Sequence, residues 1–245
     1  MKRAIVIGAS SGIGRQVAQL LLQDEWHVGL AARRLDALEE LKRIAPERVV
    51  TAQIDVTDAD AGEQLLTLVN QLGGMSLYFH AAGVGWQNQT LDEEKELKTA
   101  ETNATGFIRM TGTAFRYFAQ HTGGHIAVIS SIGGTRGLGA APAYSATKAM
   151  QNTYIEALEQ LAHMRHLNIR FTDIRPGFVE TPLLNGDRFP MLMSSRHVAK
   201  HIIKAVYKRR HVVVIDWRWV VVNALWHCVP HWLWRRLKIQ HPTTT

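Results

Sequence analysis

The chain is poor in the residues that cross-link or stiffen small extracellular proteins. It has one cysteine, Cys228, among 245 residues, so no disulfide can form within the chain, as suits a reducing compartment. Proline is scarce as well, with seven residues against 19 glycines, and 46% of all residues are hydrophobic. This composition excludes collagen-like, disordered and disulfide-stapled proteins and leaves one large globular domain or two small ones.

Long hydrophobic runs are also missing. No stretch reaches the ~20 apolar residues of a membrane-spanning helix. The most apolar part of the C-terminal region is interrupted by Asn223, His227, Pro230 and His231. The apolar run before Gly8 is too short for the core of a signal peptide. We therefore expect a cytoplasmic protein.

Metal ligands are not grouped in the sequence. His121, His125, His163 and His166 lack a ligand-like pattern with nearby cysteines or acidic residues. We expect no metal site.

The positive charge of the chain, +7 overall, is confined to its end. Residues 196–245 contain ten Lys and Arg residues and one acidic residue, whereas residues 1–195 contain eighteen and twenty. We therefore divide the chain into a domain at 1–216 and a basic extension at 217–245, which holds five of the seven tryptophans. The extension could cover the substrate cleft or a partner subunit, or contact a membrane surface peripherally. Nucleic-acid binding is not expected, because no recognition module accompanies it.

Apolar β-branched runs alternate with segments of helical periodicity, which predicts a doubly wound α/β domain with a parallel sheet of about seven strands. Candidate strands are at 3–7, 26–32, 48–54, 76–81, 125–130, 168–174 and 211–215. Candidate helices are at 12–23, 35–44, 59–72, 91–119, 142–164 and 195–208, with two short ones at 217–229 and 231–238.

A glycine-rich turn joins the first strand to the first helix, with the sequence Gly8-Ala9-Ser10-Ser11-Gly12-Ile13-Gly14. Glycines let the backbone approach a pyrophosphate, and the N–H groups at the helix N-terminus favour its charge. Asp55 ends the third strand and Ala82-Gly83 follows the fourth, so all three features meet at the carboxyl edge of the sheet. This convergence predicts a dinucleotide site.

Arg33 and Arg34 end the second strand, where an acidic residue would select NAD through the ribose 2′-hydroxyl. Guanidinium groups suit a 2′-phosphate instead. The pair predicts NADP(H) as the preferred cofactor, with NAD(H) as the alternative if both arginines only begin a solvated helix.

Tyr144 and Lys148 are four residues apart on a predicted helix and so share one face. A buried ammonium beside a phenol is expected to lower the pKa of the tyrosine, which makes Tyr144 a candidate proton donor. Ser131 follows the fifth strand and could hold a substrate oxygen. Ser130 is the alternative, because only one of two successive residues faces the cleft.

With these motifs in this order, the sequence resembles the short-chain dehydrogenase/reductase family from residue 3 to about 215, in the form with three residues between Gly8 and Gly12. The resemblance implies a Rossmann-like fold and favours Ser131 over Ser130. It implies the catalytic residues Asn103, Ser131, Tyr144 and Lys148, with Asn103 distorting its helix and holding a water in a proton relay. The cofactor contacts are then Gly8, Ser10, Ser11, Gly12, Ile13, Gly14, Arg33, Arg34, Asp55, Val56, Ala82, Gly83, Tyr144, Lys148, Pro176, Gly177 and Thr181.

By this resemblance the protein is an NADP(H)-dependent oxidoreductase for a carbonyl or alcohol, and a homodimer or homotetramer. The mostly apolar segment 182–194 favours an apolar small-molecule substrate. A cofactor-binding sensor or scaffold without turnover is the alternative function. The chain departs from the family at Ile7 and His80, where a threonine and an asparagine usually tie neighbouring strands. Because both partners of that tie are replaced, the two changes are mutually consistent.

Overall fold

The computed structural model describes residues 2–184 and 189–239. Within these residues, seven parallel strands form one sheet. They are β1 (Arg3–Ile7), β2 (His27–Ala32), β3 (Val49–Gln53), β4 (Leu77–His80), β5 (Gly124–Ile129), β6 (Ile169–Pro176) and β9 (Val212–Ile215), while the two strands between β6 and β9 form a separate pair. Across the sheet the order is β3-β2-β1-β4-β5-β6-β9. The predicted doubly wound α/β fold is confirmed. The strand order reverses between β1 and β4, which opens a crevice at their carboxyl ends.

Helices cover both faces of the sheet, so most of its strands are buried on both sides. The helices are α1 (Gly12–Gln23), α2 (Leu35–Lys42), α3 (Ala61–Leu72), α4 (Glu93–Ala100), α5 (Phe107–Gln120), α6 (Pro142–Met164), α7 (Ser195–Tyr207), α8 (Trp217–Cys228) and α9 (His231–Trp234). Residues of α1, α2, α7 and α8 contribute to one core layer, and residues of α3, α5 and α6 to the other.

Three features differ from the sequence prediction. The single helix expected at 91–119 is divided by a π-helical turn at Glu101–Gly106. A 3₁₀ turn at Ile132–Gly134 follows the fifth strand. Two-residue strands β7 (Val179–Glu180) and β8 (Met193–Ser194) pair in parallel, so the end of the segment 182–194 lies beside the residues that precede it. Residues 185–188 of that segment lie outside the described residues.

The C-terminal extension begins with α8, which packs against β9 and buries Trp219. In the part of the chain that the structure describes, no helix combines the length and the hydropathy required to cross a bilayer.

Candidate active site

The glycine turn leaves β1 and enters α1 in a conformation that side chains would prevent. Gly8 has φ +83°, and a Cβ on it would lie 2.7 Å from the Ala82 nitrogen. A Cβ on Gly14 would lie 2.3 Å from the Gly8 carbonyl oxygen. Gly12 has φ +53° and faces the Thr181 side chain. Because α1 begins at Gly12, the N–H groups of its first turn lack intrahelical acceptors and can bind phosphate oxygens.

The two arginines lie beside this turn. The Arg34 guanidinium donates a hydrogen bond to the Ser10 hydroxyl, with 3.2 Å between Nη2 and Oγ. Arg33 is exposed, and its Nη1 lies 3.9 Å from Oδ2 of Asp55. The other oxygen of Asp55 accepts hydrogen bonds from the N–H and the hydroxyl of Thr57. Arg34 therefore lies beside the glycine turn, and Arg33 lies beside Asp55.

The structure separates the two candidate serines. The Ser130 hydroxyl is buried and donates to the Asp173 carboxylate. The Ser131 hydroxyl accepts a hydrogen bond from the Gly133 N–H at 3.0 Å, and its interaction with the Tyr144 phenol lowers the pKa of that phenol. The Tyr144 ring packs on Gly85, where a Cβ would lie 2.3 Å from the ring carbon Cδ2. Ser131 and Tyr144 therefore share the cleft, and Ser130 is turned away from it.

Lys148 is buried on the same helix, and two acceptors hold its ammonium. Nζ donates to the Ile129 carbonyl at 3.0 Å and to Oε1 of Gln151 at 2.9 Å. The amide of Gln151 donates in turn to the Asn103 backbone carbonyl at 2.7 Å. Gln151 is fully buried, and its side-chain amide links the Lys148 ammonium to the Asn103 backbone. Sequence reasoning missed this residue, although it lies three positions after Lys148 on the same helix.

Asn103 lies in the π-helical turn, so the helix distortion that the family resemblance implies is present. Its side-chain amide makes two hydrogen bonds to the backbone of Val84. Oδ1 accepts from the Val84 N–H at 2.9 Å, and Nδ2 donates to the Val84 carbonyl at 2.7 Å. A Cβ on Gly83 would lie 3.3 Å from Oδ1 of Asn103 and 3.7 Å from Nζ of Lys148. The turn after β4 therefore joins the glycine turn to the Tyr144 cleft.

Burial dominates the electrostatics of this cleft. It lowers the pKa of Lys148 to about 8, although the nearby Asp173 carboxylate raises it. It raises the pKa of Tyr144 above 10, although the hydrogen bond with Ser131 lowers it. The expected lowering of the tyrosine pKa was therefore wrong for the protein alone. The reason is that Nζ of Lys148 is bound to Ile129 and Gln151 and stands 5.8 Å from the centre of the tyrosine ring.

His80 and Ile7, the two departures from the family pattern, face each other in the β1–β4 register. The His80 ring is buried, and its Nδ1 bonds the Tyr78 hydroxyl at 2.8 Å. Burial, with the charge of Lys148, lowers the pKa of His80 to about 3, so this ring is neutral. The hydrogen bond that usually ties the two neighbouring strands is thus replaced by one between two residues of β4, Tyr78 and His80.

The C-terminal extension reaches the nicotinamide end of the predicted site. A Cβ on Gly177 would lie 2.1 Å from the Trp219 indole, so α8 packs directly on the turn after β6. The Trp234 indole donates to the Gly137 carbonyl at 2.8 Å. Arg136 stacks on Trp234 and donates to three carbonyls at the end of α8, those of Trp226, His227 and Val229. The extension therefore holds the loop between Ser131 and Tyr144.

Comparisons with known proteins extend these observations. The sequence profile described as "short chain dehydrogenase" matches residues 2–189. An uncharacterized oxidoreductase of Myxococcus xanthus is 33% identical over 238 residues, which cover 94% of this chain and 93% of that protein. The structure of the alcohol dehydrogenase from the archaeon Thermococcus sibiricus, complexed with 5-hydroxy-NADP, superimposes with a TM-score of 0.77 at 23% sequence identity. The match covers 88% of this chain and 96% of that chain. The closed form of serine dehydrogenase with NADP+ has a TM-score of 0.78 at 24% identity, with 86% and 92% covered.

Proposed function

Because the chain belongs to the short chain dehydrogenase family, we propose that it transfers hydride between NADP(H) and a carbonyl or secondary alcohol of an apolar small molecule. The observation that carries this proposal is the juxtaposition of Ser131, Tyr144 and buried Lys148 beside the Gly83 turn. The glycine turn fits a dinucleotide, because its glycines have no side chains to prevent the close approach of a pyrophosphate to the backbone. The coenzyme, when bound, supplies or accepts the hydride.

Each side chain of the cleft has a distinct role in this proposal. The Tyr144 phenol gives a proton to the substrate oxygen in reduction and takes it back in oxidation. The Ser131 hydroxyl holds that oxygen in place. The Lys148 ammonium, 5.8 Å from the centre of the Tyr144 ring, would bind the ribose next to the nicotinamide. Asn103 supports the Gly83 turn through Val84.

The coenzyme preference is proposed to come from Arg33 and Arg34. The Arg34–Ser10 hydrogen bond and the exposure of Arg33 support a site for a 2′-phosphate at this corner. Arg33→Asp should lower kcat/KM for NADPH. The ratio of kcat/KM with NADH to kcat/KM with NADPH should rise by about tenfold or more, because the ion pair between Arg33 and the 2′-phosphate becomes a contact between two negative charges. Arg43→Asp, the same charge change at the far end of α2, should leave the ratio unchanged. An unaltered ratio in Arg33→Asp would make that arginine a solvated surface residue.

Gln151 is proposed to set the pH range of activity, because it holds the ammonium of Lys148. Lys148 keeps its proton only below a pKa of about 8, so activity that needs the charge should fall as pH rises through 8. A carboxylate in Gln151→Glu should raise that pKa and move the alkaline limb of kcat/KM upward by about one pH unit. Gln151→Leu should move it downward, because an acceptor is lost.

The matched control is Gln160→Glu, the same change at an exposed position of α6. It should leave the pH profile in place. If Gln151→Glu and Gln151→Leu lowered stability but left the alkaline limb unmoved, Gln151 would be a packing residue without influence on Lys148.

The proposed function is tested by following the nicotinamide absorbance with a panel of apolar ketones, aldehydes and quinones. Oxidation of NADPH by at least one of them, faster than that of NADH, is the expected result. Tight coenzyme binding without turnover on any substrate would instead favour a non-catalytic sensor or scaffold. A cytoplasmic homodimer or homotetramer, with the division of the chain at residue 216, completes the proposal.

A further inference from the structure

The outward side of α8 is a largely apolar stripe. Exposed residues recur from the first position of the helix at intervals of three and four, which is the spacing of one helical face. They are Trp217, Val220, Val221, Ala224, Leu225 and Cys228, with the exposed polar residue His227 at the edge of the same face. The opposite side packs on the core through Trp219, Val222 and Trp226. Because α8 is apolar on both sides, its outer face is typical of a contact surface.

The exposure of this stripe is large for a water-facing helix. Trp217 is 73% exposed, and Leu225 is 60% exposed. On the neighbouring α9, Trp232 is 62% exposed while Trp234 is buried against the loop at Gly137. Tryptophans with part of the ring in water are favoured at the headgroup level of a bilayer.

Cations follow the apolar residues directly. Arg235, Arg236 and Lys238 are exposed after α9, and the Arg236 guanidinium lies 5.8 Å from the centre of the Trp232 ring. Residues 196–245 carry ten Lys and Arg residues against one acidic residue. A second copy that used the same face would bring these like charges together. An anionic phospholipid surface instead satisfies both the apolar stripe and the charge.

We propose that α8 and α9 form a docking surface for an anionic phospholipid membrane. A helix of 12 residues, about 18 Å long, lies along such a surface with its apolar side at the boundary of headgroups and acyl chains. The Arg136 hydrogen bonds to the end of α8 fix this surface on the protein before it binds. The proposal goes beyond the oxidoreductase function and does not depend on it.

The test is co-sedimentation of the full chain with vesicles of phosphatidylcholine and phosphatidylglycerol, compared with vesicles of phosphatidylcholine alone. Binding to the anionic vesicles is expected. Val221→Glu with Leu225→Glu should weaken it by about tenfold or more, because two apolar side chains that would enter the bilayer are lost and two charges repelled by anionic lipid are gained. Ile44→Glu with Met164→Glu adds the same charge at exposed apolar residues elsewhere and should bind nearly as well as the parent.

A second pair of variants separates charge from fold. Arg235→Gln with Arg236→Gln should weaken binding to the anionic vesicles by about fivefold for each charge and leave the midpoint of urea unfolding unchanged. No sedimentation with anionic vesicles, or equal binding of the stripe variant and its control, would overturn the proposal. A fall in molar mass of the stripe variant without any change in vesicle binding would overturn it in favour of self-association.

Discussion

Tyr144→Phe should lower kcat by about 10²- to 10⁴-fold, which is the contribution of a well-placed proton donor. The phenylalanine ring keeps the contact with Gly85, so the cleft should hold its shape. Only the hydroxyl, which interacts with Ser131, is lost. Coenzyme affinity, measured by fluorescence titration with NADPH, should therefore change little while single-turnover hydride transfer falls.

Tyr154→Phe is the matched control for this prediction. Tyr154 lies on the same helix α6, and its ring packs edge-on against Phe107 instead of facing the cleft. Its kcat should stay within about twofold of the parent, since no proton transfer is affected. If both variants turned over at the parental rate, Tyr144 would have no role in proton transfer, and the proposed function would lose its proton donor.

The parts of the site that could be predicted from the sequence are encoded locally. The glycine turn is a strand, turn and helix in one segment, and the helical repeat places Tyr144 and Lys148 on one face. The choice between Ser130 and Ser131 depends instead on a contact with a distant part of the chain. The alternation of a strand shows that only one residue faces the cleft, but the partner that holds Ser130, Asp173, is 43 residues away.

Contacts between distant segments explain what the sequence could not predict. Gln151 bonds a carbonyl 48 residues earlier, and Arg136 bonds carbonyls at the end of α8 that lie 90 and 93 residues later. The pKa of Tyr144 depends on its burial and on where the Lys148 ammonium points, which are results of packing. The sequence predicted two short helices in the extension, but the buried and exposed sides of α8 become distinct only in the folded chain.

Gly177→Ala should destabilise the chain by about 1–3 kcal/mol, because the added methyl group would overlap the buried Trp219 indole at 2.1 Å. Urea unfolding should show a lower midpoint with an unchanged slope. Gly139→Ala is the control, since a Cβ there meets nothing within 4 Å. That variant should be as stable as the parent or more stable, because alanine restricts the unfolded chain.

The same overlap predicts a strong coupling between Gly177 and Trp219. Trp219→Ala alone should cost about 3–5 kcal/mol, as expected for a buried aromatic side chain. In that background the indole no longer obstructs the methyl group, so Gly177→Ala should become neutral or stabilising by up to about 1 kcal/mol. The resulting coupling energy of about 1–3 kcal/mol would show that α8 is held on the turn after β6 by this contact. Additive costs in the double variant would mean that the two residues act independently, and the extension would then have no direct hold on the nicotinamide end of the cleft.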